Sequence, residues 1–231
     1  MGAMTGPFIV GIPVYQGVDL LDVAAPCEVF KWMGESWTAG RDVKVYVAAE
    51  TNGVVLTRDG LQITPHRTLG QLAHVDLLWV PGGDLPTLQQ HMKDQQFLGE
   101  LRRLSERATY VTSVCEGALL LASAGLLDGF SATTHWAFIE CLRAFNGITV
   151  IGPDEGYPRF VVDDKDGTLH GGIRVTGGGV SSGLDEALQL VKMIAGEDTA
   201  KAVQVSIQYF PAPPVMGTLP LSSPCPLGST A

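Results

Sequence analysis

The chain has 231 residues, a formal net charge of −9 and 45% hydrophobic residues, a composition ordinary for a globular protein. This acidic balance, without a cluster of Lys or Arg, argues against binding to the phosphate backbone of nucleic acid. The N-terminus lacks the pattern of a secretory signal, and no apolar run approaches the length of a membrane span. We therefore expect a cytoplasmic protein that binds neither nucleic acid nor membranes.

The four cysteines, Cys27, Cys115, Cys141 and Cys225, are widely scattered along the chain. They form no C-x-x-C pair, and the spacing fits neither a disulfide framework nor a zinc site. The sequence therefore predicts that all four are reduced thiols.

The first half of the chain predicts strands that alternate with helices. Buried strands are expected at Phe8–Tyr15, Asp42–Ala48 and Val75–Val80, and a hairpin at Val54–Leu56 with Leu61–Ile63. Helices are expected from Pro26, as a first-turn proline, to about Met33, then at Leu85–Met92 and at Asp94–Arg107 with Asp94 as N-cap.

The second half continues the same alternation. Short strands are expected at Tyr110–Val114, Ser131–Thr134, Ile148–Ile151, Arg159–Val162, Thr168–Leu169 and Gly171–Thr176. Helices are expected at Gly117–Ala124 with Gly125 as C-cap, from a Thr134 or His135 cap through Phe145, at Leu184–Ala195 after Ser181 or Ser182, and from an Asp198 cap to Tyr209.

This alternation predicts an α/β fold, with a doubly wound, mainly parallel sheet in a single domain. We expect that domain over residues 8–210. Residues 1–7 are predicted to be a disordered or artificially added N-terminal segment. Residues 211–231, rich in Pro, Gly and Ser, are predicted to form an irregular C-terminal arm.

The segment Ser113-x-Cys115-x-Gly117 has the spacing of a nucleophile elbow between a buried strand and a helix. Such a turn lifts the side chain of Cys115 out of the sheet edge. A helix N-terminus stabilises a thiolate, so we expect Cys115 to be reactive, with a depressed pKa. The alternative is a buried structural cysteine.

Four unusual turns follow strands, and in a parallel sheet all four meet at the carboxyl edge, where ligands bind. They are Gly17–Ala24, Pro81–Asp84, Cys115–Gly117 and Gly177–Gly183. Asp22 is either a carboxylate aimed at Cys115 or a helix-initiating residue, whereas we expect Asp19 to be solvated. Gly82 and Gly83 either present open backbone N–H groups to a developing negative charge or form only a tight turn.

The remaining motifs give weaker indications of a functional site. Gly177–Gly179 lacks the spacing of a dinucleotide fingerprint, and Asp164-x-Asp166-Gly167 lacks calcium ligands at the required positions, so it is expected to be a turn. His135 could pair with Cys115 or cap a helix. The other four histidines show no metal-ligand spacing, and we expect no metal.

Several segments together resemble the ThiJ/PfpI superfamily, and within it most of all the isocyanide (isonitrile) hydratases. They are SVCEG at the elbow, LLLASAGLLDG after it, Thr133-Thr134-His135-Trp136, VPGG, LDVAAP, VTGGG and SIQYFPAPP. The resemblance spans Phe8 to about Pro214. It implies a flavodoxin-like or class I amidotransferase-like sandwich and a homodimer.

The resemblance also implies a chemistry, in which R–N≡C is hydrated to an N-substituted formamide. Cys115 would be the nucleophile and Asp22 the acid and base, without metal or organic cofactor. Glu116 departs from the pattern, because related hydratases can carry a hydroxyl residue there. Gly82, Gly83, Glu116 and His135 are the expected substrate-binding or oxyanion-binding residues.

Two alternatives remain open at this point. One is a glyoxalase-like or deglycase-like enzyme acting on small carbonyl compounds. The other is a non-enzymatic redox or ligand sensor that uses Cys115.

Overall fold

A computed structural model describes residues 6–38, 40–165, 172–221 and 223–228. Within these ranges, a seven-stranded sheet has the order β10-β11-β7-β6-β1-β2-β5. All neighbouring pairs are parallel except β10 with β11. The predicted doubly wound, mainly parallel α/β fold is therefore confirmed. The predicted strand Thr168–Leu169 and the end of the predicted turn at Asp166–Gly167 lie outside the described residues.

The strands are short and lie close to their predicted positions. Those of the main sheet are β1 Phe8–Pro13, β2 Val43–Ala49, β5 Arg67–Thr68, β6 Leu77–Val80, β7 Tyr110–Ser113, β10 Phe160–Asp163 and β11 Ile173–Gly177. The predicted hairpin forms from β3 Val55–Leu56 and β4 Gln62–Ile63, and β8 Ser131–Ala132 pairs with β9 Thr149–Val150.

Helices flank the sheet in two layers. They are α1 Leu20–Ser36, α2 Leu85–His91, α3 Gln95–Ser105, α4 Gly117–Ser123, α5 Ile139–Arg143, α6 Ser182–Ala195 and α7 Glu197–Ser206. Helices α1, α6 and α7 pack on one another, and α4 packs against both α3 and α5. The core lies between these layers and the central strands β6 and β7, in which every residue is buried. No helix among the described residues has both the length and the apolar character that crossing a membrane requires.

The start of α1 corrects a prediction. The helix begins at Leu20, and Pro26 lies inside it rather than in its first turn. A proline has no N–H group, so Pro26 leaves the Asp22 carbonyl without its helical donor. The Trp79 indole N–H donates to that carbonyl at 2.9 Å instead. The missing helical hydrogen bond is thus replaced from β6, and this contact ties Asp22 to the centre of the sheet.

The N-cap of one helix was predicted wrongly, and that of another was one of the two predicted alternatives. Helix α7 begins one residue before Asp198, with Gly196 as its N-cap. Ser181 is the N-cap of α6, but its side chain makes no capping hydrogen bond. By contrast, Asp94 caps α3 as predicted, accepting from the Gln96 and Phe97 N–H groups.

The prediction of four reduced cysteines was wrong. Cys141 in α5 and Cys225 in the C-terminal arm form a disulfide, whereas Cys27 and Cys115 are free. The bridge joins residues 84 positions apart, which the scattered spacing gave no reason to pair. The described part of the arm contains neither helix nor strand, so the disulfide fixes a segment that secondary structure does not.

Candidate active site

The elbow at Cys115 has the predicted geometry. Cys115 has a φ of 57°, in the left-handed region that residues other than glycine rarely adopt. Its backbone is held on both sides, because its N–H donates to the Gly178 carbonyl and its carbonyl accepts from the Thr134 hydroxyl, each at 2.8 Å. Gly117 is required here, since a Cβ at that position would lie 2.0 Å from the Val80 carbonyl oxygen. The surrounding turns therefore stabilise a strained backbone that presents the thiol.

Asp22 approaches Cys115 from α1, which agrees with the alternative of a carboxylate aimed at Cys115. The side chain is fully buried, and its Oδ2 accepts from the Gly82 N–H at 2.9 Å. Its Oδ1 is buried without a hydrogen-bond partner among the described residues. One carboxylate oxygen is thus anchored and the other is free to exchange a proton.

Glu116 folds back against the sulfur. Its carboxyl lies close enough to the Cys115 thiol to raise the pKa of that thiol, and the side chain is only 5% exposed. Gly82 makes this packing feasible, because a Cβ there would lie 2.3 Å from Glu116 Oε2 and 2.9 Å from the Cys115 Cβ. The carboxyl that departs from the hydratase pattern is therefore part of the site and not a surface group.

Asp19 was expected to be solvated, and that prediction was wrong. It is 2% exposed, and its Oδ1 lies 3.1 Å from Nε of the half-exposed Arg58. Asp19 precedes Asp22 by about one helical turn, so the two carboxylates share a face of α1. The Asp19 N–H donates to the Gly82 carbonyl at 3.0 Å, which brings the start of α1 against the Pro81–Asp84 turn.

The electrostatics of the site reverse another expectation. Burial raises the pKa of the Cys115 thiol well above its ordinary value, and the charges of Asp22 and Glu116 raise it further. Burial likewise raises the pKa of Asp22 well above its usual range, opposed only in part by the Gly82 hydrogen bond. The predicted depressed thiol pKa was therefore wrong, because desolvation and three nearby carboxyls oppose the helix N-terminus. The Cys115 thiol is therefore protonated at rest near pH 7.

The same cluster has the donor atoms of a metal site. Ligand atoms of Asp19, Asp22 and Cys115 all lie within 4.8 Å of one another. One thiolate and two carboxylates form a donor set that Zn²⁺ accepts. These three residues could therefore hold a divalent ion, a capacity that the sequence analysis did not anticipate.

The glycines of the Pro81–Asp84 turn have roles different from those expected. The Gly82 N–H was expected to be open to an oxyanion, but it donates to Asp22. Gly83 forms an antiparallel bridge with Val18, and a Cβ on it would meet the Tyr15 ring. The turn thus positions the acid and closes the site against Tyr15.

His135 follows the helix-capping alternative. Its Nδ1 accepts from the Ala137 N–H at 3.2 Å, at the start of a short 3₁₀ helix, Trp136–Phe138. Burial lowers the pKa of His135, so its ring is neutral near pH 7. The ring packs against Trp136, with centroids 5.4 Å apart.

Comparison with known proteins assigns this combination of sheet and elbow to a family. Residues 9–192 match the model of the DJ-1/PfpI family. The chain belongs to the DJ-1/PfpI family. The resemblance to the ThiJ/PfpI superfamily is thereby confirmed.

Curated and solved relatives of the DJ-1/PfpI chain differ in described role. An isonitrile hydratase from Pseudomonas putida is 34% identical over 93% of this chain and 84% of that protein. The HTH-type transcriptional regulator CdhR from Pseudomonas aeruginosa is 31% identical over 71% of this chain but only 44% of the regulator. A solved ThiJ/PfpI family protein from Pseudomonas syringae has a TM-score of 0.77 at 31% identity, covering 91% of this chain and 78% of that chain.

Two further buried groups of this DJ-1/PfpI site were missed by the sequence analysis. Tyr15 lies at the end of the first predicted strand, and its hydroxyl donates to the Pro81 carbonyl at 3.1 Å. Glu186 of α6 is fully buried, and neither of its carboxyl oxygens has a hydrogen-bond partner among the described residues. Burial raises the pKa of both groups. Tyr15 could have been found from the sequence, because it ends a predicted strand at the carboxyl edge of the sheet. Glu186 could not, because its sequence position is that of an ordinary helix residue.

Proposed function

We propose that this chain is an isocyanide hydratase-like enzyme that adds water to R–N≡C to give an N-substituted formamide. One observation carries the proposal, the buried pairing of the Cys115 thiol with the Asp22 carboxyl, whose ligand atoms lie within 4.8 Å. The similarity to the isonitrile hydratase of Pseudomonas putida supports this substrate class.

In the first step, the Cys115 sulfur attacks the terminal carbon of the isocyanide. The thiol gives its proton to Asp22, and the same carboxyl delivers a proton to the attacked carbon. The product is a thioformimidate, R–N=CH–S–Cys115. The raised pKa of Asp22 suits this role, because a carboxyl that is protonated more readily both accepts the thiol proton and retains it for transfer.

In the second step, water adds to the carbon of the thioformimidate while Asp22 accepts a proton from that water. Asp22 passes that proton to the nitrogen, and the resulting R–NH–CH(OH)–S–Cys115 collapses with cleavage of the carbon–sulfur bond as its hydroxyl proton moves to the sulfur. The formamide R–NH–CHO leaves, and the sulfur regains its proton. These two reaction steps need no metal and no organic cofactor.

The surroundings favour a neutral substrate. Asp19, Asp22 and Glu116 are acidic and almost fully buried, so an anionic substrate would be repelled. An isocyano group is small, linear and uncharged, which suits a sulfur that is only 1% exposed.

A sensor is the second candidate. The similarity to the regulator CdhR favours it. The raised pKa of the Cys115 thiol suits ligand sensing better than redox sensing, because a protonated thiol is both a slow nucleophile and slow to oxidise. A glyoxalase-like activity on small carbonyl compounds is the remaining alternative if the chain is an enzyme. The homodimer and the cytoplasmic location remain proposals.

The experiment is a formamide assay with a simple alkyl isocyanide. We expect the native chain to produce the formamide, Cys115→Ala to lose it completely, and the other free thiol variant, Cys27→Ala, to retain it. Formation of the Cys115 adduct in a single turnover would be followed by mass spectrometry. Undiminished turnover by Cys115→Ala would refute the assignment of the nucleophile, and turnover of methylglyoxal alone would favour the glyoxalase-like alternative.

A further inference from the structure

A cavity of about 380 Å³ adjoins the elbow, within the ~300–1,000 Å³ range of small-molecule sites. We call it the arm cavity, because the C-terminal arm supplies part of its wall. Its lining includes Leu21, His135, Trp136, Tyr157, Val180 and Leu219.

The arm cavity lies next to the catalytic residues, and residues that hold the backbone of Cys115 form part of its wall. Thr134 and Gly178 line it, and both hydrogen bond to the backbone of Cys115. Leu21, the residue before Asp22, also lines the cavity. A group attached to an isocyanide bound at Cys115 therefore has a cavity beside it.

The chemistry of the walls selects an uncharged, apolar group. Two leucines, a valine, a tryptophan and a tyrosine supply apolar surface beside smaller polar residues, and none of the described lining residues is acidic. The one guanidinium, on Arg159, is neutralised by Asp185, whose Oδ2 accepts from Arg159 Nε at 2.7 Å. The neutral ring of His135 adds no charge. Apolar surface without free charge binds alkyl and aryl groups best.

The arm is held over the cavity by specific contacts. Leu219 lines the cavity, and the Tyr157 hydroxyl donates to the carbonyl of the next residue, Pro220. The Cys141–Cys225 disulfide then fastens the arm to α5. By contrast, Met216 earlier in the arm is 91% exposed. Leu219 is 46% exposed, about half as much as Met216, so the arm covers the cavity in part.

We infer that the arm cavity binds the alkyl or aryl group of the substrate, and that Leu219, held in place by the Cys141–Cys225 disulfide, determines specificity for large groups. This inference rests on the proposed function for the identity of the substrate. In this arrangement the isocyano group lies at the Cys115 thiol, and the substituent on its nitrogen extends into the arm cavity.

The test compares cyclohexyl isocyanide with methyl isocyanide. We expect Leu219→Ala to lower kcat/KM for the cyclohexyl compound about tenfold and for the methyl compound less than about twofold. Cys225→Ser should act in the same direction, because it releases the arm. Met216→Ala is the matched control in the same arm and should leave both values unchanged. Equal losses for both substrates, or none, would overturn the inference.

A binding measurement separates this inference from the proposed function. N-cyclohexylformamide is titrated into the native chain and into Leu219→Ala by ligand-observed NMR. Binding that weakens about tenfold in the variant supports the arm cavity even if the chain hydrates no isocyanide. Absence of binding, or equal affinity in both proteins, overturns it.

Discussion

Two buried aspartates lie at opposite ends of the same sheet, and their surroundings differ. Asp76, just before β6, is 4% exposed, and its carboxylate contacts Arg41 Nη1 at 3.2 Å and accepts from the Ile9 N–H at 2.7 Å. Asp22, beside the turn that follows β6, is fully buried and accepts only from Gly82 among the described residues, at 2.9 Å. Its charged neighbours are mainly other carboxyls.

The difference separates a stabilising acid from a reactive one. At the amino end of the strands, the charge of Asp76 is compensated by a cation and a backbone donor, so its burial costs little. At the carboxyl end, the charge of Asp22 is uncompensated, and its pKa is raised by burial. Uncompensated titratable groups in a parallel sheet of this kind are concentrated where ligands bind.

The largest expected effect is on catalysis. Asp22→Asn should lower kcat for isocyanide hydration by about 10²–10⁴-fold, because the amide cannot carry the proton between sulfur, carbon and water. Asp76→Asn is the matched control, and its folded fraction should hydrate at close to the native rate. Rates would be measured as formamide release per folded protein. Equal rates for Asp22→Asn and the native chain would remove the distinction between the two aspartates.

The next effect is on stability. Asp76→Ala should lower the free energy of unfolding by about 2–3 kcal/mol, because Arg41 and the Ile9 N–H lose their shared acceptor. Urea unfolding measures this change. Asp42→Ala, at an exposed acid beside Arg41, should change it by less than about 0.5 kcal/mol. A loss as small for Asp76→Ala as for Asp42→Ala would mean that the compensated carboxylate does not stabilise the fold.

The pH dependence of stability should distinguish the native chain from Asp22→Asn. Because the pKa of Asp22 is raised on folding, the native state holds this proton more tightly than the unfolded chain. Stability from this group is therefore complete below about pH 4, the unfolded value, and is lost as the pH rises toward the folded pKa. At neutral pH, Asp22→Asn should melt about 2–4 °C higher than the native chain, and this gain should vanish near pH 4. Thermal unfolding curves that keep the same separation at both pH values would contradict this assignment.

The sequence predicted the sheet well because buried β-branched strands and intervening helices leave strong periodic patterns. It also placed Cys115 and Asp22 at one edge, since a parallel sheet brings the ends of its strands together. It failed where a distant partner decided the outcome. Pro26 is tolerated inside α1 because Trp79 supplies the missing donor, and Cys141 is paired with a cysteine in the irregular arm.

The two Cys-Glu dipeptides show why the electrostatics could not be predicted. In α1, burial raises the pKa of Cys27 to about 11, and the adjacent Glu28 is exposed. At the elbow, the same residue pair adopts a turn in which Glu116 is buried against the thiol of Cys115. Adjacent residues on a helix do not face each other, whereas the left-handed φ of Cys115 redirects its side chain. Identical dipeptides therefore give different sites.

The smallest expected effect tests how much of the elbow's character comes from that second carboxyl. Glu116→Gln should lower the pKa of the Cys115 thiol, because it removes a carboxyl whose charge raises that pKa. The pKa should stay above its ordinary value, since burial is the largest cause and Asp22 remains. The pH dependence of alkylation by iodoacetamide, followed by peptide mass spectrometry, reports each cysteine separately.

Glu28→Gln is the matched control for this change at the other Cys-Glu pair. It should shift the alkylation profile of Cys27 alone, while Glu116→Gln should shift that of Cys115 alone. If Glu116→Gln leaves the Cys115 profile unchanged, the raised pKa comes from burial and Asp22 without Glu116. The contrast between the compensated and the uncompensated aspartate would then extend to the thiol, because Asp22 would be the carboxyl that raises the thiol pKa most.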